Sequence, residues 1–128
     1  MTTNILIDTD VLIDYSKAKS KLLQKYLKLQ AQAKTQLCIN PIILTEFFTD
    51  SQLKNSTKFR QAETFLKLFK FIPVDRQIAL EAAKILRLHQ SDFLADAYIA
   101  ATCLVNQLSL LTRNRRHFSS VPNLQFVN

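Results

Sequence analysis

The sequence of 128 residues contains no glycine at all. Glycine-rich phosphate-binding loops, such as the dinucleotide-binding fingerprint and the Walker loop, need glycine because their backbone must approach the phosphate closely. The absence of glycine therefore excludes the classical NAD, FAD and P-loop nucleotide sites. Any phosphate that this chain binds must be held by side chains or by metal ions.

Cysteine and long apolar runs are also scarce. Cys38 and Cys103 both lie in apolar segments, where we expect small core residues in a reducing compartment and neither a disulfide nor a zinc site. No apolar stretch approaches the ~20 residues that a membrane-spanning helix needs. The N-terminal residues MTTNILIDTD lack the basic region of a signal peptide. These features lead us to expect a cytoplasmic protein.

Acidic residues are the minority among the charged ones. The chain has 10 Asp and Glu against 17 Lys and Arg, which gives a formal net charge of +7. A positive charge of this size favours a polyanionic partner such as RNA, DNA or an acidic protein segment.

Short apolar segments alternate with amphipathic helical patterns along the whole chain. The apolar segments predict buried strands at residues 4–8, 36–40, 71–74, 108–112 and 124–127. Strands that alternate with helices are typical of an α/β fold, here a three-layer α/β/α domain with a parallel sheet between two layers of helices. Because no linker or repeat interrupts the pattern, we expect a single domain over residues 1–128.

Three carboxylates occupy positions where the surrounding sequence is apolar. Asp8 follows the first predicted strand, Glu46 lies in PIILTEFF, and Asp96 lies in DFLADAYIAAT. Buried carboxylates are rare unless they are paired or bind a metal, and ligands of open α/β sheets bind at the carboxyl ends of the strands. Three converging carboxylates repel one another, which favours a bound divalent cation. Oxygen ligands without His or Cys favour Mg²⁺ or Mn²⁺.

Each of these acids also has an ordinary structural explanation. A salt bridge to Lys or Arg is the default interpretation of Glu46 taken alone, and structural pairing remains open for the other two. Thr9 or Asp10 is predicted to cap the helix after the first strand. For Asp10, the role of a helix cap is favoured over that of a metal ligand. Asp92 precedes Asp96 by one helical turn, so it is either a cap or a further ligand of the same site.

Three segments of the sequence, ILIDTDVLID, ILTEFF and DAYIAATCLVNQLSLLTRNRRHF, resemble the successive motifs of the PIN domain family, specifically of its small VapC-type toxin ribonucleases. The resemblance covers nearly the whole chain in the family's order and spacing. It implies a parallel sheet of strand order 3-2-1-4-5. It also implies endonucleolytic cleavage of RNA at an acidic site that binds Mg²⁺ or Mn²⁺.

The resemblance assigns the site residues by position. Asp8, Glu46 and Asp96 are the expected core acids and metal ligands, and Thr112 and Asn114 match the polar residues that lie beside the family's site. The metal is expected to polarise a phosphoryl oxygen and to lower the pKa of a bound water that attacks in line. The expected products carry a 5′-phosphate and a 3′-hydroxyl.

One position departs from the family's pattern. Members often carry a fourth acid just before the phenylalanine of the last motif, and this sequence has His117 there. A neutral histidine is a poor ligand for Mg²⁺. Asp92 or Asn114 is a candidate to replace the missing acid, and His117 itself is either part of the site or a solvated loop residue.

The loop after the fourth predicted strand is basic. Arg113, Arg115 and Arg116 lie there and are expected to bind the RNA backbone electrostatically. The resemblance further implies a small antitoxin protein as partner and a homodimer. Two other functions stay open: a non-catalytic RNA-binding or protein-interaction module on the same fold, and a flap-type DNA nuclease, which the short chain and few acids disfavour.

Overall fold

Four parallel strands form the central sheet of the computed structural model, which describes residues 3–128. In chain order the strands are β1 (Thr3–Ile7), β2 (Thr35–Ile39), β3 (Lys70–Phe71) and β4 (Ser109–Leu111). Across the sheet they lie in the order β3-β2-β1-β4, and each pair is parallel. This arrangement agrees with the predicted α/β fold.

Helices occupy most of the remaining chain. They are α1 (Thr9–Ser16), α2 (Leu22–Ala31), α3 (Pro41–Phe47), α4 (Ser56–Leu66), α5 (Arg76–Arg87) and α6 (Leu94–Asn106), with short 3₁₀ helices at Ser51–Lys54 and Arg115–Phe118. None of the helices within residues 3–128 has the length and apolarity to cross a membrane.

The fifth strand of the predicted order is reduced to a single bridge. Phe126 pairs in parallel with Leu110 of β4. The amide of Leu110 donates to the carbonyl of Gln125 at 2.8 Å, and the amide of Val127 donates to the carbonyl of Leu110 at 3.0 Å. The last segment therefore lies in the expected fifth place beside β4, although it forms only one residue pair of sheet.

The core is built around β1 and α6. Ile5, Leu6 and Ile7 of β1 are at most 2% exposed, because β1 has a strand on either side and helices above and below. Helix α6 packs against α5 and buries its small residues, among them Ala100 and the Cys103 thiol. Both cysteines are buried free thiols, as predicted.

A buried hydrogen bond joins two helices that begin at the carboxyl edge of the sheet. Asn40, at the end of β2, is fully buried and caps α3 by accepting from the amide of Ile43 at 2.9 Å. Its Nδ2 donates to Oγ1 of Thr102 in α6 at 2.9 Å. The start of α3 and the second half of α6 are thereby fixed relative to each other, and these helices carry Glu46 and Asp96.

The lack of glycine has a visible structural consequence. Helix C-termini commonly end on a residue in the left-handed conformation, which glycine adopts most easily. Here Ala33, His89 and Gln107 take that conformation after α2, α5 and α6, with φ values of 58°, 55° and 56°. These turns therefore carry local backbone strain that glycine would avoid.

Candidate active site

A cleft of about 370 Å³ opens at the carboxyl edge of the sheet. It lies where β1 ends and α1 begins, and helices α3 and α6 and the loop after β4 complete its walls. The three acids predicted from the sequence all reach it. Its lining residues are Asp8, Thr9, Asp10, Glu46, Phe93, Ala95, Asp96, Asn114 and His117.

Asp8 is the most deeply placed acid of the cleft, with 8% exposure. It is the N-cap of α1: its Oδ1 accepts from the amide of Thr9 at 2.8 Å, and its Oδ2 accepts from the hydroxyl of Thr112 at 2.7 Å. Burial raises its pKa to about 6, with a further contribution from the charge of Asp10, although both hydrogen bonds act in the opposite direction. A buried carboxylate with its ionised form disfavoured is suited to bind a cation.

The helix cap was predicted wrongly as Thr9 or Asp10. Because Asp8 takes the cap position, Asp10 falls in the first turn of α1 and lines the cleft. Its Oδ2 accepts from Nδ2 of Asn114 at 2.9 Å, while its Oδ1 is buried without a hydrogen-bond partner in residues 3–128. Burial raises the pKa of Asp10. The sequence interpretation ranked Asp10 as a cap above the alternative of a ligand, whereas the structure places it in the cleft; the spacing of DTD at the strand end was the available signal.

Glu46 reaches the cleft from α3. The hydroxyl of Thr9 donates to its Oε1 at 2.6 Å. No Lys or Arg within residues 3–128 forms a salt bridge with Glu46, so the default interpretation of this acid does not hold in the described chain. Glu46 is instead held at the start of α1 beside Asp8 and Asp10.

Asp96 lies in the first turn of α6 and contacts the residue that replaces the fourth acid. Nδ1 of His117 is 3.2 Å from Oδ2 of Asp96. Burial raises the pKa of Asp96, and His117 opposes that rise. The His117 ring also lies against the ring of Phe93, with centroids 5.8 Å apart. His117 therefore lines the cleft, although its side chain remains 47% exposed.

Asp92 does not reach the cleft. It is exposed and lies before α6, whose N-cap is Phe93. Because Asp92 is outside the helix, its spacing from Asp96 does not bring the two carboxylates to one helical face. The interpretation of Asp92 as a ligand that shares the site with Asp96 therefore loses its structural basis.

Thr112 and Asn114, the two polar residues of the last motif, form hydrogen bonds with Asp8 and Asp10. The Thr112 hydroxyl donates to Asp8 and accepts from the amide of Asn114 at 3.0 Å. Asn114 in turn donates to Asp10. One chain of hydrogen bonds thus fixes both carboxylates at the end of β1 to the loop after β4.

The three arginines of the basic loop have different surroundings. Arg113 forms an ion pair with Asp14 of α1. Arg115 donates to the carbonyl of Val127 at 3.2 Å and to the Asn128 side chain. Its guanidinium group lies over the ring of Phe126. Arg116 is exposed and makes no side-chain hydrogen bond or ion pair with residues 3–128. Arg116 is the arginine of this loop that is best placed for an external anion.

The donor set of the cleft fits a hard divalent cation. Within residues 3–128, no three Asp, Glu, His or Cys side chains lie close enough to enclose a metal directly. Mg²⁺ usually binds one or two carboxylates and keeps several waters, which suits a wide cleft with oxygen ligands. Oδ1 of Asp10 accepts no hydrogen bond from residues 3–128 within normal geometry, so this buried anionic oxygen is available to such an ion.

Comparisons with a protein family, with related sequences and with a solved structure agree with one another. Residues 5–124 match the family described as PIN domain. The chain is 31% identical to ribonuclease VapC1 of Methanocaldococcus jannaschii over 91% of this chain and 79% of that protein. It is 29% identical to ribonuclease VapC of Rickettsia bellii over 96% and 94%. A toxin–antitoxin complex from Klebsiella pneumoniae has a chain of similar structure, with a TM-score of 0.75, 27% identity and 94% of each chain covered.

Proposed function

The chain belongs to the PIN domain family, and we propose that it is a VapC-type endoribonuclease that depends on Mg²⁺ or Mn²⁺ and acts as the toxin of a toxin–antitoxin pair. The observation that carries the proposal is the convergence of Asp8, Asp10, Glu46 and Asp96 on one cleft at the carboxyl edge of the sheet. The raised pKa values of the three aspartates support it, since burial disfavours their charged forms unless a cation is present.

The residues of the cleft have distinct roles in this proposal. Asp8, Asp10, Glu46 and Asp96 would hold the cation, which would polarise a phosphoryl oxygen and activate a water. Thr112 and Asn114 orient the two carboxylates after β1 through their hydrogen bonds. Arg116 binds the RNA backbone outside the cleft. Since the ribose 2′-hydroxyl takes no part, the products carry a 5′-phosphate and a 3′-hydroxyl.

The proposal includes a protein partner. Both curated relatives are named ribonuclease VapC, and the similar chain from Klebsiella pneumoniae comes from a toxin–antitoxin complex. We infer that this chain likewise binds a small antitoxin, that it forms a homodimer, and that it cleaves RNA in the cytoplasm. Co-expression with the reading frame directly upstream of its gene, followed by purification of the pair, tests the antitoxin part.

A cleavage assay with a matched control tests the enzymatic part. Wild-type protein is incubated with end-labelled RNA in Mn²⁺ or in EDTA, beside Asp8→Asn and the control Glu63→Gln. Glu63 is an exposed acid of α4 that lies outside the cleft. We expect cleavage by wild type and Glu63→Gln in Mn²⁺ alone, with 5′-phosphate ends, and none by Asp8→Asn. Cleavage that survives EDTA, or that Asp8→Asn retains, contradicts the proposal.

One observation favours a second candidate, a non-catalytic RNA-binding module. His117 replaces an acid and already occupies an oxygen of Asp96. If this contact blocks the site, wild-type protein binds RNA but cleaves none in either metal ion, so the same assay with a binding measurement separates the two functions.

A further inference from the structure

An exposed aromatic side chain lies at the rim of the acidic cleft. Phe93 is 58% exposed, and among the large exposed apolar side chains of residues 3–128 it alone lines this cleft. Scattered exposed apolar residues are normal on protein surfaces. It is therefore the position of Phe93 beside four carboxylates, and not its exposure, that calls for a functional explanation.

The backbone of Phe93 is fixed by its neighbours. The buried hydroxyl of Ser91 accepts from the amide of Phe93 at 3.4 Å and donates to its carbonyl at 3.3 Å. The amide of Ala97 donates to the same carbonyl at 3.0 Å, which is the first hydrogen bond of α6. The Phe93 ring thus projects from a well-anchored helix start.

The imidazole of His117 extends this aromatic surface. The two rings have centroids 5.8 Å apart and an interplanar angle of 34°. His117 is held from the other side by its contact with Asp96 at 3.2 Å, and its side chain is 47% exposed. We call these two rings, Phe93 and His117, the aromatic shelf.

The chemistry of the surroundings selects the kind of molecule that can cover the shelf. An apolar protein segment would bury the carboxylates of the cleft without replacing their solvation, which is costly. A nucleotide presents a flat base to the shelf and its phosphate to a cation in the cleft. Single-stranded RNA is recognised by bases that stack on aromatic side chains, and the net charge of +7 favours such a polyanion.

Resting on the proposed ribonuclease function, we propose that the aromatic shelf stacks one unpaired base of the RNA next to the phosphate that lies at the acidic cleft. Phe93 is then a binding residue that selects single-stranded RNA. The His117 ring packs beside the Phe93 ring, and His117 also contacts Asp96. The positive loop residue Arg116 lies two residues after Asn114 of the cleft and can neutralise the adjoining backbone.

Binding of two short probes tests the shelf. One probe is fluorescein-labelled oligoadenylate, and the other is an abasic ribose-phosphate strand of the same length. All proteins carry Asp8→Asn so that the probes stay intact, and affinities are measured by fluorescence anisotropy. We expect the parent to bind oligoadenylate about 5- to 150-fold more tightly than the abasic strand, which corresponds to one stacked base. Phe93→Ala should bind both probes alike.

Matched variants distinguish stacking from general apolar contact. Phe93→Trp keeps a flat ring and should preserve the preference for oligoadenylate, whereas Phe93→Leu keeps apolar area without a ring and should lose most of it. Phe71→Ala is the control, since Phe71 is a 48% exposed phenylalanine of β3 that does not line the cleft. It should behave like the parent.

Three results overturn the proposal, and they are distinguishable. If Phe93→Ala keeps the full preference for oligoadenylate, the shelf stacks no base. If Phe93→Ala keeps that preference and also changes the oligomeric mass or weakens antitoxin binding, Phe93 belongs to a protein interface. If the parent binds neither probe and wild type cleaves no RNA, the proposed function itself fails and the shelf fails with it.

Discussion

Asp8 combines a structural and a chemical role in one side chain. Its Oδ1 caps α1 and its Oδ2 accepts from Thr112, so both oxygens already have a hydrogen-bond donor. Burial nevertheless keeps its pKa near 6, which shows that two neutral donors do not replace the lost solvation of the charge. A cation bound in the cleft, as we propose, would supply the missing stabilisation and would account for a carboxylate at this position.

The raised pKa of Asp8 predicts a pH-dependent stability in EDTA. Between pH 4 and pH 6, roughly, the unfolded chain has released this proton while the folded chain keeps it, so the free energy of unfolding falls as the pH rises. A shift from 3.8 to about 6 corresponds to on the order of 3 kcal/mol. Asn at position 8 can still accept from the Thr9 amide through its Oδ1, and its Nδ2 can donate to the Thr112 hydroxyl, so that one bond is kept and the other is reversed without a charge. Urea unfolding of Asp8→Asn should therefore show a gain over wild type at pH 7 that disappears at pH 4.

A prediction for His117 follows from its contact with Asp96. His117→Asp removes that contact and adds a fifth carboxylate to the cleft, so the metal-free protein should lose stability while Mn²⁺ binds more tightly. The Mn²⁺ concentration that gives half of the maximal thermal shift should fall several-fold. An unchanged requirement for Mn²⁺ means that position 117 supplies no ligand. His117→Asn, which adds no charge, is the control.

At the scale of helices and strands, the carboxyl edge of the sheet brings together side chains that are far apart in the sequence. β1 delivers Asp8, and the helices after β2 and before β4 deliver Glu46 and Asp96. The bond between Asn40 and Thr102 connects those two helices. The relative positions of Asp8, Glu46 and Asp96 therefore depend on how β1, α3 and α6 pack, and on the buried hydrogen bond between Asn40 and Thr102.

The strained helix ends offer a test of the fold without any change in the site. Gln107 follows α6 with φ 56° and ψ 45°. Gln107→Gly should raise the free energy of unfolding by about 1 kcal/mol, since glycine adopts this conformation without a steric penalty. Ala83→Gly, at an exposed position in the middle of α5, should lower it by about the same amount. Urea unfolding of both variants checks the prediction, and a loss of stability in Gln107→Gly contradicts it.

The sequence carried enough information to predict the elements and most of the acids. Strand and helix order followed from apolar periodicity, and Asp8, Glu46 and Asp96 were visible because their flanks are apolar. The residue that caps α1 could not be predicted, because Asp8, Thr9 and Asp10 can all cap a helix and only the length of β1 decides among them. For this reason Asp10 was interpreted as a cap. The partners of Glu46 and His117 depend on tertiary packing, which no local pattern specifies.

At the scale of the whole molecule, the positive charge is not evenly available for binding. Arg113 and Arg115 are engaged by Asp14 and by the segment at Val127, whereas Arg116 has no such partner in residues 3–128. The net charge of +7 attracts a polyanion from a distance, but the contacts that form depend on which cations are free.

The salt dependence of RNA binding separates these arginines. Arg116→Ala should lower the slope of log affinity against log salt by about 0.7, the value of one phosphate contact with a single strand. Arg115→Ala should leave the slope nearly unchanged and should loosen the segment around Phe126, which hydrogen exchange can detect. Equal changes in slope for the two variants contradict this division, which refines the expectation that both bind RNA.

The most direct measurement of the central claim, that the acidic cleft holds a divalent cation, is the thermal shift that Mn²⁺ produces in wild type and in Asp96→Asn at pH 7.5. A ligand at about 100 times its dissociation constant stabilises the folded state by about 2.7 kcal/mol. We predict that wild type melts higher in saturating Mn²⁺, and that Asp96→Asn starts at an equal or higher melting temperature and gains little from the metal. An equal shift in both proteins, or none in wild type, contradicts the account.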